Sequence, residues 1–339
     1  MLFNWLETGQ DAAQHQLVGT AFCAIVFIYL IANRERIRDT LQRRFTSFKD
    51  YCVDFCIDFC VEFQEEYRSR LEEARMERKT DDELLIELLG RKLKSIRDKE
   101  LFKQPESSHM GDCPICCIPL SLDLSKSVLS DCCSKIICDG CDYANYWKRE
   151  KKQKISSCPF CRELTPDTDE GYDKQRMKRV EANDPVAISR EGEKQYGKGE
   201  YKKAFEYWTR AAALGHAEGH YKLATLYSKG EGVEKDGGKA THHLEEAVIG
   251  GHPQARYLLG NEEWENGNYE RALKHYIIGA KQGEEDAPKM LMVAFKDGKI
   301  SKEDFTATLR AHQAAVDETK SPMREEAEEY RRKQEERGS

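Results

Sequence analysis

The chain has 339 residues, a net charge of −7 and a pI of about 5.8. This acidic balance, with no aromatic-rich basic groove in the sequence, argues against nucleic acid as a partner. A mean hydropathy of −0.75 and 34% charged residues indicate that most of the chain is soluble, and its length allows two or three domains.

The N-terminal region departs from this polar composition. Residues 12–33 contain no Asp, Glu, Lys or Arg, and as a helix they would span about 33 Å, enough to cross a bilayer core. Acidic residues precede the stretch and several arginines follow it, which disfavours a cleaved signal peptide and keeps the C-terminal side cytosolic. We therefore expect a short segment (1–16) and a single-pass membrane helix (17–33), of a membrane that the sequence does not specify. A buried hydrophobic helix is the alternative.

Residues 34–100 contain no proline and a single glycine, which predicts a helical juxtamembrane region. Within it Cys52, Cys56 and Cys60 recur every four residues and share one helical face with neighbouring aromatic rows. The pattern favours a hydrophobic stripe for a partner helix or the membrane surface, and palmitoylation of these cysteines is the alternative. Residues 101–112 are expected to be a linker.

A cysteine-rich segment follows the linker. Three C-x-x-C pairs and one adjacent pair supply eight thiols, and the segment contains no histidine. Eight thiolates are the ligand count of two closed tetrahedral zinc sites, and such clusters in a large intracellular-looking chain indicate metal binding rather than disulfides. The leftover Cys117 is expected to be a packed thiol. The eight candidate ligands are Cys113, Cys116, Cys132, Cys133, Cys138, Cys141, Cys158 and Cys161.

The order of these pairs resembles a RING finger, whose cross-brace joins the first and third pairs to one zinc ion and the second and fourth pairs to another. Lys135 stands where the usual RING has a histidine; a protonated lysine has no lone pair for a metal, and Cys132 replaces it as in all-cysteine variants. A RING module over 113–165 is therefore expected. The resemblance implies zinc 1 on Cys113, Cys116, Cys138 and Cys141, and zinc 2 on Cys132, Cys133, Cys158 and Cys161.

The resemblance extends to four residues that bind no metal. RING fingers that recruit ubiquitin-conjugating enzymes carry an apolar residue in the first knuckle, an aromatic after the third and a proline in the fourth. Many active ones carry an arginine directly after the last ligand, suited to bridging two surfaces. The alternative for the apolar positions is packing in the small core of the domain. The matching residues here are Ile115, Trp147, Pro159 and Arg162.

After a linker (166–183), four segments of 33 to 36 residues each contain a helix, a glycine-bearing turn and a second helix: 184–216, 217–252, 253–285 and 286–319. This period predicts an α-solenoid. The residues YSKGEGVEKDGGKA in the second segment resemble a Sel-one-like repeat, a relative of the tetratricopeptide repeat. Recurring aromatics are expected to pack between helices, and residues 320–339 to form a charged tail or frayed helix. These aromatics are Tyr196, Trp208, Tyr227, Trp264 and Tyr276.

Together these patterns predict a mainly α fold with a small two-zinc module between a membrane helix and a solenoid. The resemblance implies a membrane-anchored RING-type ubiquitin ligase with no nucleophile of its own, because such proteins orient a ubiquitin-loaded conjugating enzyme. The repeats would hold a substrate or adaptor. The alternative is a non-catalytic zinc-binding scaffold at a membrane. Metal-dependent hydrolysis is excluded, since eight thiolates fill both coordination spheres.

Overall fold

A computed structural model describes residues 81–105, 109–150 and 157–338, with side chains described except at 81–86, 146–150 and 337–338. The elements of the described residues are α1 (Asp81–Leu101), a 3-10 turn (Leu124–Lys126), β1 (Ser127–Ser130), β2 (Lys135–Cys138), α2 (Asp139–Glu150), α3 (Asp169–Glu181), α4 (Pro185–Gly197), α5 (Tyr201–Ala213), α6 (Ala217–Lys229), α7 (Gly237–Ile249), α8 (Pro253–Glu265), α9 (Tyr269–Lys281), α10 (Ala287–Lys296), α11 (Lys302–Glu318) and α12 (Pro322–Gly338).

The predicted membrane helix (17–33) and the cysteine row at Cys52, Cys56 and Cys60 lie outside the described residues. Across the ranges that are described, no helix combines the length and the apolar character needed to span a bilayer. The described residues from 96 onward form one compact unit, and the described residues before 96 fall outside it. The cysteine-rich module and the repeats therefore belong to the same unit.

The last residues of α1 pack on the repeats within this larger unit. Leu101 is 1% exposed and joins a core cluster of α6, α7 and α8, while Arg256 donates a 2.6 Å hydrogen bond from Nη1 to its carbonyl oxygen. Arg97 forms ion pairs of 2.9 Å with both Glu245 and Glu246 on α7. The sequence places a linker from residue 101, and its first residue is a core residue of the solenoid.

The cysteine-rich module is a small domain with a two-stranded sheet. β1 and β2 pair antiparallel, from Ser127 opposite Cys138 to Ser130 opposite Lys135. α2 follows β2 directly. The core consists of Cys113, Leu120, Ile137 and Cys138, each at most 2% exposed. So little apolar area suits a domain that depends on metal for its stability.

The repeats form the predicted solenoid, in which each of the four segments contains one helix pair, from α4/α5 to α10/α11. Local chemistry explains where the helices begin. Asp184 accepts the Val186 N–H at 3.0 Å ahead of Pro185, and Asp236 accepts the Lys239 N–H at 3.0 Å. Capping side chains and a proline in the first turn satisfy or remove donors that the helix itself cannot bond.

The eighth residue of each helix in the solenoid follows a size rule. In the first helices it is Gly192, Ala224, Gly260 and Ala294; in the second helices it is Trp208, Leu244, Tyr276 and Leu309. The two glycines thus pair with the two aromatic rings, and the two alanines with the two leucines. Trp208 and Tyr276 are at most 2% exposed, which confirms that these two aromatics are core residues. Complementary sizes keep the packing dense at the same helix spacing.

The charged C-terminal segment is a docked helix in this structure. α12 packs on α2 of the cysteine-rich module, with the Tyr330 and Tyr143 ring centroids 5.2 Å apart. Ala327 is 3% exposed and Arg324 8% exposed. The chain therefore leaves the module at the fourth cysteine pair, builds the whole solenoid and returns to the module at its end.

Candidate metal centre

The structure gathers the eight cysteines into two clusters. The sets are those that the RING resemblance implies, and within each set the ligand atoms lie within 4.8 Å of one another. Sγ–Sγ distances are 3.7 Å for Cys116 and Cys138, and 3.4 Å for Cys132 and Cys161. All nine cysteines of the segment are free thiols. The pairs therefore interleave as in a cross-brace.

The first and fourth knuckles have the same backbone geometry. The Cys113 N–H donates to the Ile118 carbonyl at 3.0 Å, and the Cys158 N–H donates to the Glu163 carbonyl at 2.8 Å. In both, the residue after the second cysteine adopts a left-handed conformation, with φ of 55° at Cys117 and 63° at Arg162. This turn brings both cysteines of a knuckle to one side, and its cost in a non-glycine residue is accepted because the metal ligands must converge.

Two other elements supply the remaining ligands. The adjacent pair Cys132–Cys133 lies in the turn between β1 and β2, closed by a 2.8 Å bond from the Ser134 N–H to the Ser130 carbonyl. Cys138 ends β2, and Cys141 lies in the first turn of α2. Sheet and helix thus place the third pair beside the first, while the turn places the second pair beside the fourth.

The environment of the two clusters opposes ionisation of several thiols. Burial opposes ionisation of Cys113 and Cys158, but hydrogen bonds outweigh it and lower the pKa values to about 7 and about 6. The partners include N–H groups of each knuckle, together with the Cys138 N–H at Cys113 and the Ser130 hydroxyl at Cys158. Burial, then the neighbouring thiols, raises the pKa of Cys132 and of Cys141. Each cluster therefore contains one thiol with a lowered pKa beside others with a raised pKa. A bound divalent cation would favour the ionised form of every thiol, because it stabilises thiolates.

The donor sets fit zinc. With Zn–S bonds of about 2.3 Å, tetrahedral sulfurs lie about 3.8 Å apart, close to the 3.4–3.9 Å contacts between pairs. Four sulfur donors of this softness suit Zn²⁺ better than Mg²⁺ or Ca²⁺. Four thiolates would close such a site, so a bound ion would serve a structural role: the cysteines would hold it between the knuckles, and no position would remain for a reactive water.

The residues proposed to contact a conjugating enzyme lie on or beside the knuckles. Ile115 is 43% exposed at the tip of the first knuckle, Pro159 is half-buried in the fourth, and Arg162 is exposed. Trp147 lies in α2, but its side chain is outside the described ones. Phe160, 42% exposed next to Pro159, was not singled out from the sequence. An apolar residue between two ligand cysteines was the available signal.

Two other residues of the segment, Lys135 and Cys117, belong to neither cysteine cluster. Lys135, at the histidine position of the usual RING, is the exposed first residue of β2 and belongs to neither ligand set. Cys117 is also outside both sets, and it is exposed, so the expectation of a packed thiol is wrong. The left-handed turn that aligns Cys113 and Cys116 directs the next side chain to solvent.

A contact missed by sequence reasoning reaches the first cluster from α12. Arg324 Nη2 lies 3.6 Å from Sγ of Cys116 and donates to the Ile118 carbonyl at 3.0 Å. Arg324, Ala327 and Arg331 recur at helical spacing and face the module. That spacing was the only local sign, and it is weak in so charged a segment.

A third group, His109, Glu218 and His252, has its ligand atoms within the same 4.8 Å. In this group, hydrogen bonds indicate which ring nitrogen of His252 carries the proton. His252 Nδ1 accepts the Ala255 N–H at 3.2 Å, so Nε2 carries the ring proton and donates it to Glu218 at 2.8 Å. Lys222 pairs with the other Glu218 oxygen at 3.1 Å. In this arrangement the group is a network of hydrogen bonds and ring contacts that joins the linker to α6 and α8.

The fold of the C-terminal region is that of a helical repeat protein, and a comparison of the sequence with known protein families supports this class. Residues 191–216, 217–252 and 253–284 match the model of the Sel1 repeat family, in the first three predicted repeat segments. These segments are Sel1 repeats, which confirms the repeat resemblance.

Two solved structures are similar to this chain. A Sel1 repeat protein from Oxalobacter formigenes is 22% identical, with a TM-score of 0.39 over 51% of this chain and 71% of that one. A protective antigen of uropathogenic Escherichia coli strains that displays an SLR fold is 18% identical, with a TM-score of 0.31 over 56% of this chain. The match covers 40% of that protein's length.

Proposed function

We propose that the chain is a RING-type ubiquitin ligase that uses its repeats to hold a substrate or adaptor. The observation that carries the proposal is the interleaving of the two four-cysteine clusters, with exposed Ile115 on the first knuckle and exposed Arg162 after the fourth. A ligase of this kind forms no covalent intermediate. It binds a conjugating enzyme charged with ubiquitin and raises the rate of transfer by orientation.

Each named residue has a separate role in this mechanism. Ile115 and Phe160, which are exposed, and the half-buried Pro159 supply the apolar contact with the conjugating enzyme, since a few well-packed anchor residues contribute most of the binding energy of an interface. Arg162 has a planar fork of donors that can bond to the conjugating enzyme and ubiquitin together. Trp147 remains a predicted contact of the same surface. The two zinc ions would keep the knuckles rigid.

The link between module and repeats supports a role in substrate positioning. Arg176 on α3 is buried and bonds to Glu191 on α4 at 2.9 Å, with Asp131 of the module 3.6 Å away. Gln175 donates a 3.0 Å bond to the Leu164 carbonyl, just beyond the fourth knuckle. A partner bound on the repeats would thus be held at a fixed distance from the conjugating enzyme, and fixed proximity is the source of catalysis here.

Surfaces of α-solenoids bind proteins through extended contacts, so we assign the partner to the repeats. Membrane anchoring through residues 17–33, with module and repeats in the cytosol, is part of the proposal and rests on the charge pattern of the sequence. Glycosylation-site tagging tests it: a tag at the N-terminus should be modified in microsomes. Modification of a tag after residue 339 would refute the orientation.

Ubiquitination by the full-length, zinc-loaded chain with a panel of conjugating enzymes tests the proposed activity. We expect chain formation with at least one enzyme and its loss in Ile115→Ala and Arg162→Ala. Leu124→Ala is the matched control, because Leu124 is 67% exposed in the same module but lies outside the knuckles. Absence of ubiquitin transfer with every conjugating enzyme would refute the ligase function.

The second candidate is a non-catalytic scaffold, favoured by Lys135 in place of the usual histidine. In that case the repeats capture the same partners in wild type and in Ile115→Ala, and no conjugating enzyme binds. Binding of the chain to immobilised conjugating enzymes, measured beside its partner capture, distinguishes the two functions.

A further inference from the structure

The guanidinium group of Arg324 bonds to the first cysteine cluster from the far end of the chain. Nη1 donates to the Pro119 carbonyl at 2.6 Å and to the Thr319 carbonyl at 2.5 Å. Nη2 donates to the Ile118 carbonyl at 3.0 Å and lies 3.6 Å from Cys116 Sγ. The group thus ties together the end of the first knuckle, one ligand sulfur and the turn before α12.

The helix that carries Arg324 is firmly seated. The backbone of α12 lies against Gly140 of α2: a Cβ added to Gly140 would be 2.9 Å from the backbone nitrogen of Arg324. Arg331, two turns further on, forms an ion pair with Asp139 and donates to the Ser125 carbonyl at 2.7 Å. The position of Arg324 is therefore fixed by its backbone contact with Gly140 and by the contacts of Arg331, independently of the thiol.

The charge of a four-thiolate zinc site explains why a cation belongs there. One Zn²⁺ with four thiolates has a formal charge of about −2, which is costly to bury. Arg324 is 8% exposed and brings a permanent positive charge to Cys116. At the second cluster the corresponding contact is with the neutral Ser130 hydroxyl, which accepts from Cys158 Sγ at 3.6 Å and carries no charge to offset that of a thiolate. The two clusters therefore differ in what compensates their charge.

We propose that Arg324 stabilises zinc site 1 directly, by neutralising its thiolate charge and clamping the return of the first knuckle. In this proposal α12 contributes to the stability of the cysteine-rich module, and it connects the end of the solenoid to that module. This inference needs only zinc binding and is independent of ubiquitin transfer, so it survives if the proposed ligase activity fails. Outer hydrogen-bond partners of this kind contribute about 10- to 100-fold to metal affinity.

Pulsed alkylation of the full zinc-loaded chain, read out by peptide mass spectrometry, tests the proposal site by site. During competition with a chelator, Arg324→Gln should accelerate labelling of the site 1 cysteines about 10-fold or more, leaving the site 2 cysteines unchanged. Arg324→Lys keeps the charge but loses the fork, so its effect should be smaller. The milder variant also keeps the test decisive if Arg324→Gln does not fold.

Arg331→Gln is the matched control, because it weakens the docking of α12 without removing a donor from a thiol. We expect it to change site 1 labelling far less than Arg324→Gln does. Equal acceleration in Arg331→Gln would overturn a direct role for Arg324, as would equal acceleration at both sites or no change at either. Since the readout is cysteine labelling, none of these outcomes depends on ligase activity.

Discussion

The Trp208 indole ring lies against the backbone of Gly192, so close that a Cβ at Gly192 would be 2.5 Å from Nε1 of the indole. The same indole donates a 3.1 Å hydrogen bond to the Ser189 carbonyl. The third repeat has the same arrangement: a Cβ at Gly260 would lie 2.7 Å from Cε1 of Tyr276. A large ring can occupy the position because the facing helix has no side chain there.

Gly192→Ala should therefore destabilise the chain by about 1–3 kcal/mol, because the added methyl overpacks the core. Gly197→Ala is the control on the same helix: nothing lies within 4 Å of its Cβ position, so it should be neutral or stabilising by up to ~1 kcal/mol. Urea denaturation measures both. Trp208→Leu should cost less in the Gly192→Ala background than in wild type, and equal costs would contradict the packing argument.

Arg176→Met should destabilise the chain by about 3–5 kcal/mol, because it leaves the buried Glu191 carboxylate unpaired. Arg190→Met is the matched control: Arg190 is 50% exposed and pairs with Glu193 at 3.6 Å, and its loss should cost under about 1 kcal/mol. Thermal and urea unfolding compare the two variants. Equal losses of stability would contradict the assignment of Arg176 and Glu191 as a buried ion pair.

His275 should make stability depend on pH. It is fully buried against Phe102, and burial, then the charges of Arg256 and Arg271, lowers its pKa from 6.5 to about 3. The folded protein therefore keeps this ring neutral while the unfolded chain protonates below pH 6.5. Its contribution to stability is full above pH 6.5 and is lost at about 1.4 kcal/mol per pH unit as pH falls toward 3.

His275→Leu removes this dependence. Both ring nitrogens lack a hydrogen-bond partner among the described residues, so the variant should also gain about 1 kcal/mol at pH 7. Urea denaturation of wild type and variant from pH 7.5 to 5 measures the difference, in which the shared effect of acid on the zinc sites cancels. Parallel stability curves would contradict a neutral buried His275.

Metal analysis should find two zinc ions per chain, and two adjacent cysteines give a matched pair of variants. Cys116→Ser should reduce the zinc content towards one, because it removes a ligand of the first cluster. Cys117→Ser should retain two, because Cys117 is exposed and outside both clusters. Loss of zinc in Cys117→Ser, or its retention in Cys116→Ser, would contradict the ligand assignment.

Features that depend on residues close together in the chain could be predicted from the sequence. The spacing of the cysteines limits how they can converge, and the helix boundaries in the repeats follow from caps such as Asp184 and Asp236. The repeat period is visible because each unit has the same local geometry. The exposure of Phe160 and Cys117 was not predicted, although the position of Phe160 between two ligand cysteines was a signal for it.

The eight thiol ligands and the helix pairs of the repeats could be predicted from the amino-acid sequence, because each cysteine pair and each repeat is a local pattern. The division of the thiols into two sets joins distant pairs, and it was implied by the resemblance to a RING finger. It took the folded unit to show that Leu101 enters the repeat core and that Arg324 reaches Cys116, 208 positions away. Such contacts leave little local pattern. They arise because distant helices bury apolar area and pair charge together once the whole unit has folded.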